Sequence, residues 1–71
     1  MLRGHSEAVT QARSALTKSP VFALRGLDVA QSGERLLISG RVRTFYHKQL
    51  AQEAVRHVVN GLRLVNLVEV M

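Results

Sequence analysis

The chain has 71 residues and a formal net charge of +5, from ten Lys and Arg against five Asp and Glu. This length accommodates one small domain, with an ordered core over about residues 6–70. The absence of cysteine excludes disulfide bonds and thiolate metal sites, and no apolar run is long enough to cross a bilayer. The basic excess favours an acidic partner (nucleic acid, an anionic membrane surface or an acidic protein), although solubility alone also selects such charge.

The first predicted element is an amphipathic helix over about residues 6–18. Ser6 is a suitable N-cap, and Pro20 ends the helix because the residue before a proline is kept out of the helical region. The apolar positions that recur at helical spacing are Val9, Ala12 and Leu16. After Pro20, we expect the apolar residues Phe22 and Leu24 to pack under a sheet.

Two strands joined by a tight turn follow this helix. Alternation of apolar and polar residues predicts strands over residues 27–30 and 35–43, with Ser32-Gly33-Glu34 as the hairpin turn. The core-facing side of the second strand comprises Leu36, Ile38, Gly40 and Val42. The opposite side comprises Arg35, Leu37, Ser39, Arg41 and Arg43. Since Gly40 lacks a Cβ atom, we expect it to let a helix approach the sheet closely.

A second amphipathic helix begins after Thr44, a suitable N-cap, and is predicted to end at Asn60-Gly61, where glycine can adopt a left-handed conformation. Its predicted apolar face comprises Phe45, Leu50, Ala51, Ala54, Val55 and Val58. A final strand is predicted over residues 62–70, with apolar side chains on both faces. They are Leu64, Val68 and Val70 on one face, and Val65 and Leu67 on the other.

The element order is therefore α-β-β-α-β. The hairpin makes the first two strands antiparallel, and the strand–helix–strand crossover makes the third strand parallel to the second. We predict an α+β fold, a two-layer sandwich in which two helices cover one face of a three-stranded mixed sheet. The helices are expected on the face that carries Gly40, which leaves the arginine-lined face bare.

Three segments carry a resemblance to a known family. They are Leu36-Leu37-Ile38-Ser39-Gly40-Arg41-Val42, the helical positions Ala51, Ala54 and Val58 with Gly61-Leu62, and Leu64, Asn66, Val68 and Val70. In order and spacing they resemble the BON domain, which is named for osmotically induced periplasmic proteins and nodulation proteins. Gly40, Val42 and Gly61 are the structural positions of this match. Members often have one more residue between the helix-ending glycine and the closing strand.

The resemblance implies a non-enzymatic module of the bacterial periplasm or cell envelope that associates with phospholipid membranes. Members commonly occur in tandem or beside other domains of exported proteins. Residues 1–7 contain no apolar segment of the signal-peptide type. We therefore expect a cytoplasmic protein if the chain is complete as given, or a periplasmic one if it is cut from a longer exported protein.

The ionisable residues show no spacing typical of catalysis or metal binding. His47 and His57 are ten residues apart on one helix, about 280° of rotation around it at ~100° per residue, and we do not expect them to hold one ion together. We expect His57 to pair with Glu53 instead. The carboxylates show no paired spacing, and neither a nucleophile elbow nor a glycine-rich phosphate loop is present. We predict a non-enzyme that uses no metal or cofactor.

The bare face of the sheet is the candidate site. Its residues are Arg35, Leu37, Arg41, Arg43, Val65 and Leu67. The leading hypothesis is contact with an anionic phospholipid surface, where the three arginines at about 1 kcal/mol each would give roughly a hundredfold gain in affinity. The alternative is a protein-interaction or self-association module that uses the same face. A third interpretation is that a few apolar residues on an exposed sheet are ordinary.

Nucleic acid is not expected as a partner. The GxxG loop of KH domains is missing, and Phe45-Tyr46 opens a helix instead of lying on a strand, where aromatic residues stack on bases. The remaining arginines, including Arg63, are expected to lie away from the candidate face.

Overall fold

The computed structural model describes residues 7–59 and 61–71. In chain order the elements are α1 (Glu7–Thr17), a short 3-10 helix (Phe22–Leu24), β1 (Asp28–Ser32), β2 (Arg35–Val42), α2 (Phe45–Arg56) and β3 (Arg63–Val70). The strands form one sheet in the order β1-β2-β3, with β1 antiparallel and β3 parallel to β2. The predicted α+β fold and its α-β-β-α-β order are confirmed.

Burial alternates along most of β2, and the strand register extends this pattern to two faces of the sheet. The buried strand residues on the inner face are Val29, Leu36, Ile38, Val42 and Val68. The helices contribute Ala8, Val9, Ala12 and Leu16 from α1, and Ala51 and Val55 from α2, to the same hydrophobic cluster. Both helices therefore pack on the inner face. The strand residues that lie between the buried ones, and whose side chains point to the opposite side of the sheet, define the outer face.

The strand boundaries differ slightly from the predicted ones. β1 runs from Asp28 to Ser32, so Ser32 is part of the strand and the hairpin loop is only Gly33-Glu34, with Gly33 at φ 61°. β2 ends at Val42, which leaves Arg43 in a bend outside the strand. Similarly, α1 ends at Thr17 and β3 begins at Arg63, each one residue inside its predicted bound. The predicted N-cap, Ser6, lies outside the described residues.

Helix α2 begins as predicted but ends earlier. The Thr44 Oγ1 atom accepts a hydrogen bond from the His47 backbone N–H at 3.0 Å, which confirms the N-cap. The last helical residue is Arg56, well before the predicted stop. The Val58 N–H donates to the Val55 carbonyl at 3.1 Å, so this turn spans three residues instead of the four of an α-helix. The β-branched residues here also disfavour further helix. Asn60 lies outside the described residues, and Gly61 has the expected positive φ, 82°.

Two aromatic residues that were expected in the core are exposed. Phe22 is 79% exposed and Phe45 64% exposed, so both predictions are wrong, whereas Leu24 is buried as expected. The guanidinium of Arg25 lies over the Phe22 ring, 5.4 Å from its centroid. The buried core of the described residues is consequently entirely aliphatic, and its packing depends on branched side chains and alanine.

Gly40 allows a close approach, but the neighbour is not a helix. A Cβ atom built on Gly40 would lie 2.6 Å from Leu27 Cδ2 and 3.5 Å from Leu27 Cα, so the segment before β1 is what approaches the glycine. Gly40 also has a φ of 132°, which L-residues with side chains rarely adopt. Space and backbone conformation both require glycine at this position.

The Asn66 side chain links β3 to α2 through hydrogen bonds. Its side-chain Nδ2 donates to the Lys48 carbonyl at 3.0 Å and to Gln52 Oε1 at 3.3 Å. Its Oδ1 accepts the N–H of Val68 at 3.1 Å. The asparagine that forms part of the resemblance to BON domains therefore has a structural role here, since it joins the closing strand to the helix that covers it.

Candidate functional site

The outer face of the sheet is assembled by the pairing of all three strands. Its members are Asp28, Ala30 and Ser32 on β1, Arg35, Leu37, Ser39 and Arg41 on β2, and Arg63, Val65, Leu67 and Glu69 on β3. None of these residues is buried. The face that was predicted to be bare is thus accessible to solvent, whereas the opposite face lies under both helices.

An apolar row crosses the centre of the outer face. Leu37 is the register partner of Ala30 on one side and of Val65 on the other, so these three side chains neighbour one another across the sheet. Leu67 lies two residues beyond Val65 and is 51% exposed. The sequence prediction had placed Leu37, Val65 and Leu67 on one face, and the register brings them together.

Two arginines face each other at the hairpin end of the sheet. Arg35 and Arg63 are register partners on neighbouring parallel strands, and neither forms an ion pair with a described carboxylate. Like charges directly opposite each other destabilise a sheet unless an anion lies between them. They help to line a depression of about 840 Å³, together with Ser32, Gly33, Glu34, Gly61 and Leu62. The expectation that Arg63 lies away from the candidate face is therefore wrong.

The other end of the outer face carries both signs of charge. Arg41 Nε lies 3.7 Å from Glu69 Oε1, and both side chains are more than two-thirds exposed, at 70% and 74%. Such an exposed pair contributes little to stability. It does lower the positive charge that Arg41 was expected to provide, and Asp28 adds a carboxylate on the same face. Arg43 is exposed but follows the end of β2.

The remaining ionisable residues form no chemical centre among the described parts of the chain. No three His, Asp or Glu side chains in residues 7–59 and 61–71 lie where they could hold one metal ion. Glu53 pairs with Arg56 Nη1 at 3.0 Å, so its predicted pairing with His57 is wrong. The His47 Nδ1 atom is buried without a hydrogen-bond partner.

A second group of apolar side chains is exposed outside the outer face. Phe45, Tyr46 and Met71 are each about two-thirds exposed, at 64%, 66% and 69%. Met71 and Phe22 border a depression of about 460 Å³ that is also lined by Ala23, Arg41, Val42, Arg43 and His47. Sequence reasoning missed the exposure of Phe22 and Phe45 because it assigned both residues to the core.

Comparison with models of known protein families gave no match, and comparison with curated proteins gave none. The resemblance to BON domains therefore stays a prediction. None of the helices in the described ranges is both long enough and apolar enough to cross a membrane.

Sequence reasoning missed the charged residues that β1 and β3 add to the outer face. Alternation along β3 places Arg63 and Glu69 on the same side as Val65 and Leu67, and this signal was available in the sequence. The direct opposition of Arg63 and Arg35 depends on the strand register, which the spacing alone does not specify.

Proposed function

We propose that this chain is a non-enzymatic, BON-like binding module that adsorbs through its outer face to anionic phospholipid surfaces. The observation that carries the proposal is the opposed pair Arg35 and Arg63, which has no carboxylate partner in the described structure and lies beside the apolar row of Leu37 and Val65. Two planar guanidinium groups match the oxygens of a lipid phosphate. The exposed Leu67 then provides apolar contact below the headgroups.

The expected binding is weak and depends on salt. Near an anionic leaflet each arginine contributes about 1 kcal/mol, so Arg35 and Arg63 together give roughly a thirtyfold gain in affinity. Glu69 offsets Arg41, and the Asp28 carboxylate is repelled by anionic lipid. Adsorption of this strength needs a second copy of the module or another anchor to become stable.

Co-sedimentation with vesicles tests this proposal. We expect the protein to sediment with phosphatidylglycerol-containing vesicles at low salt and to be released at high salt. It should not sediment with neutral phosphatidylcholine vesicles. The double variant Arg35→Gln/Arg63→Gln should lose about thirtyfold in affinity for anionic vesicles, because it removes the two outer-face arginines that form no ion pair with a described carboxylate.

The matched control is Lys18→Gln/Arg56→Gln, which removes the same net charge from residues outside the sheet. Lys18 follows α1 and Arg56 ends α2. This control should retain most of the binding. An equal loss in both double variants would show adsorption through net charge alone, and no sedimentation of the wild-type protein with anionic vesicles at low salt would end the lipid proposal.

The second candidate function is a protein-interaction or self-association module that uses the same face. The Arg41–Glu69 ion pair and Asp28 favour it, because mixed charge around an apolar centre is typical of protein interfaces. Sedimentation velocity on Leu37→Glu tests self-association through this face. Association that is present in the wild type and lost in the variant would support it, and a wild-type protein that stays monomeric would contradict it.

A further inference from the structure

Strand β3 is a long edge strand. It has eight residues, with β2 on one side and no fourth strand on the other among residues 7–59 and 61–71. In a parallel strand, the N–H and C=O of one residue point to the same neighbouring strand. The N–H groups of Arg63 and Met71 donate to Glu34 and Val42, so the odd-numbered residues of this segment face β2. The even-numbered residues Leu64, Asn66, Val68 and Val70 therefore direct their backbone groups away from the sheet.

This edge lacks the devices that usually prevent strand addition. Natural edge strands carry central charges, proline or bulges, or are short. Along β3 the charged residues are Arg63 and Glu69, and the five residues between them are uncharged. The opposite edge, β1, has only five residues, and Arg13 Nη2 donates to the Val29 carbonyl there at 3.1 Å. On β3 the N–H of Val68 is satisfied locally by the Asn66 side chain.

We propose that a second copy of this chain adds to the β3 edge in antiparallel orientation, with Asn66 opposite the partner's Asn66. The resulting two-fold dimer has one continuous six-stranded sheet. The same surface is used on both copies, as two-fold symmetry requires. When the strands pair, the Val68 N–H donates to the carbonyl of the partner's Leu64 instead of to Asn66 Oδ1.

Charge complementarity selects this register. Residues whose backbone N–H and C=O point away from β2 must lie opposite residues of the same kind in the partner. Alternative registers therefore differ by steps of two residues. With Asn66 at the centre, Arg63 lies opposite the partner's Glu69, and the two-fold axis repeats this pair at the other end. Shifting by two residues in either direction places Glu69 opposite the partner's Val65 or the partner's Gly61, and both ion pairs are lost.

The apolar pairs agree with the same register. Val65 lies opposite the partner's Leu67, and Leu64 lies opposite the partner's Val68, so both faces of the new junction pair aliphatic side chains. Because the two-fold axis is perpendicular to the sheet, the outer faces of both copies point the same way. The dimer thereby doubles the surface assigned to lipid binding, although the pairing itself does not rest on that function.

A charge-swap mixing experiment tests the edge dimer without any lipid. Arg63→Glu places a carboxylate at both positions 63 and 69 of one copy. Glu69→Arg places a guanidinium at both positions of another copy. In sedimentation equilibrium from micromolar to millimolar protein, we expect the wild type to dimerise and each variant alone to associate at least about tenfold more weakly. An equimolar mixture should restore the wild-type affinity, since every opposed pair is again of opposite sign.

The Leu37→Glu variant is the control, because it alters the outer face on β2 and leaves the β3 edge intact. It should dimerise like the wild type. The edge proposal is overturned if the wild type remains monomeric at millimolar concentration, if mixing the swapped variants restores nothing, or if Leu37→Glu abolishes dimerisation while each swapped variant still dimerises. Vesicle binding by a protein that fails this test would leave the lipid proposal standing alone.

Discussion

Replacing Gly40 with alanine is expected to destabilise the domain by about 2–5 kcal/mol, which is comparable to the whole stability of a core of this size. The added Cβ atom would lie 2.6 Å from Leu27 Cδ2, and Leu27 is only 7% exposed, so its side chain has little room to move. The φ of 132° adds backbone strain for any residue with a side chain. Urea unfolding followed by circular dichroism should show a variant that is largely unfolded or has a much lower midpoint.

Alanine substitutions at two other glycines separate the steric contact from the backbone strain as causes of this destabilisation. Gly33 also has a positive φ, 61°, but no atom lies within 4 Å of a Cβ built there, so Gly33→Ala should cost only about 1–2 kcal/mol. Gly26 has neither a close neighbour nor a positive φ, and Gly26→Ala should be nearly neutral. If Gly40→Ala cost no more than Gly33→Ala, the tight contact with Leu27 would be contradicted.

The order of the elements could be predicted because local signals agree with one another. Thr44 caps α2 as expected, and the turn around Gly33 separates β1 from β2. Burial alternates along most of β2. The end of α2 could not be placed in the same way. Val58 and Val59 continue the apolar pattern of the helix, but their β-branched side chains disfavour helical backbone. Periodicity reports which face a residue occupies and does not report where the hydrogen bonds stop.

The exposed aromatic residues show a different limit of sequence reasoning. Phe45 was placed on the apolar face of α2 because it is hydrophobic. At ~100° per residue it lies about 120° around the helix from Ala51, which is fully buried, so helical geometry alone argues against that placement. Phe22 begins the short 3-10 helix two residues after Pro20, and an element of three residues is too short for periodicity to indicate a direction. Residue type was given more weight than position in both cases.

The candidate site was predicted in part. Alternation along β2 and β3 gave the apolar residues Leu37, Val65 and Leu67, and the structure brings them onto one accessible face. The charge distribution required the strand register, which sets Arg63 opposite Arg35 and Glu69 opposite Arg41. The face was expected to be apolar with only positive charges. These two pairings give it a basic end and a nearly neutral end instead.

That charge asymmetry bears on how the module would bind. The basic end, with Arg35 and Arg63, lies at the hairpin, and the end with Arg41 and Glu69 lies where β2 and β3 finish. Long-range attraction to an anionic surface should therefore orient the hairpin end towards it. In an edge dimer the two hairpin ends point in opposite directions, so both copies could engage only with the sheet lying along the surface.

The one-sided packing of the sheet is the central claim, because the proposed lipid contact and the alternative protein contact both depend on a bare outer face. The chain contains no cysteine, so single cysteines placed on adjacent residues of β3 report the two faces separately. Leu67 is 51% exposed on the outer face, and Val68 is 1% exposed on the inner face. We predict that Leu67→Cys reacts with a soluble thiol reagent at nearly the rate of the unfolded chain.

Val68→Cys should react at least about thirtyfold more slowly than Leu67→Cys, because the core must open before the reagent can reach it. Both variants should react equally fast in denaturant, which controls for intrinsic thiol reactivity. The decisive measurement is the ratio of the two labelling rates in native buffer. A slow Leu67→Cys beside a fast Val68→Cys, or equal protection of both, would contradict the helix-free outer face.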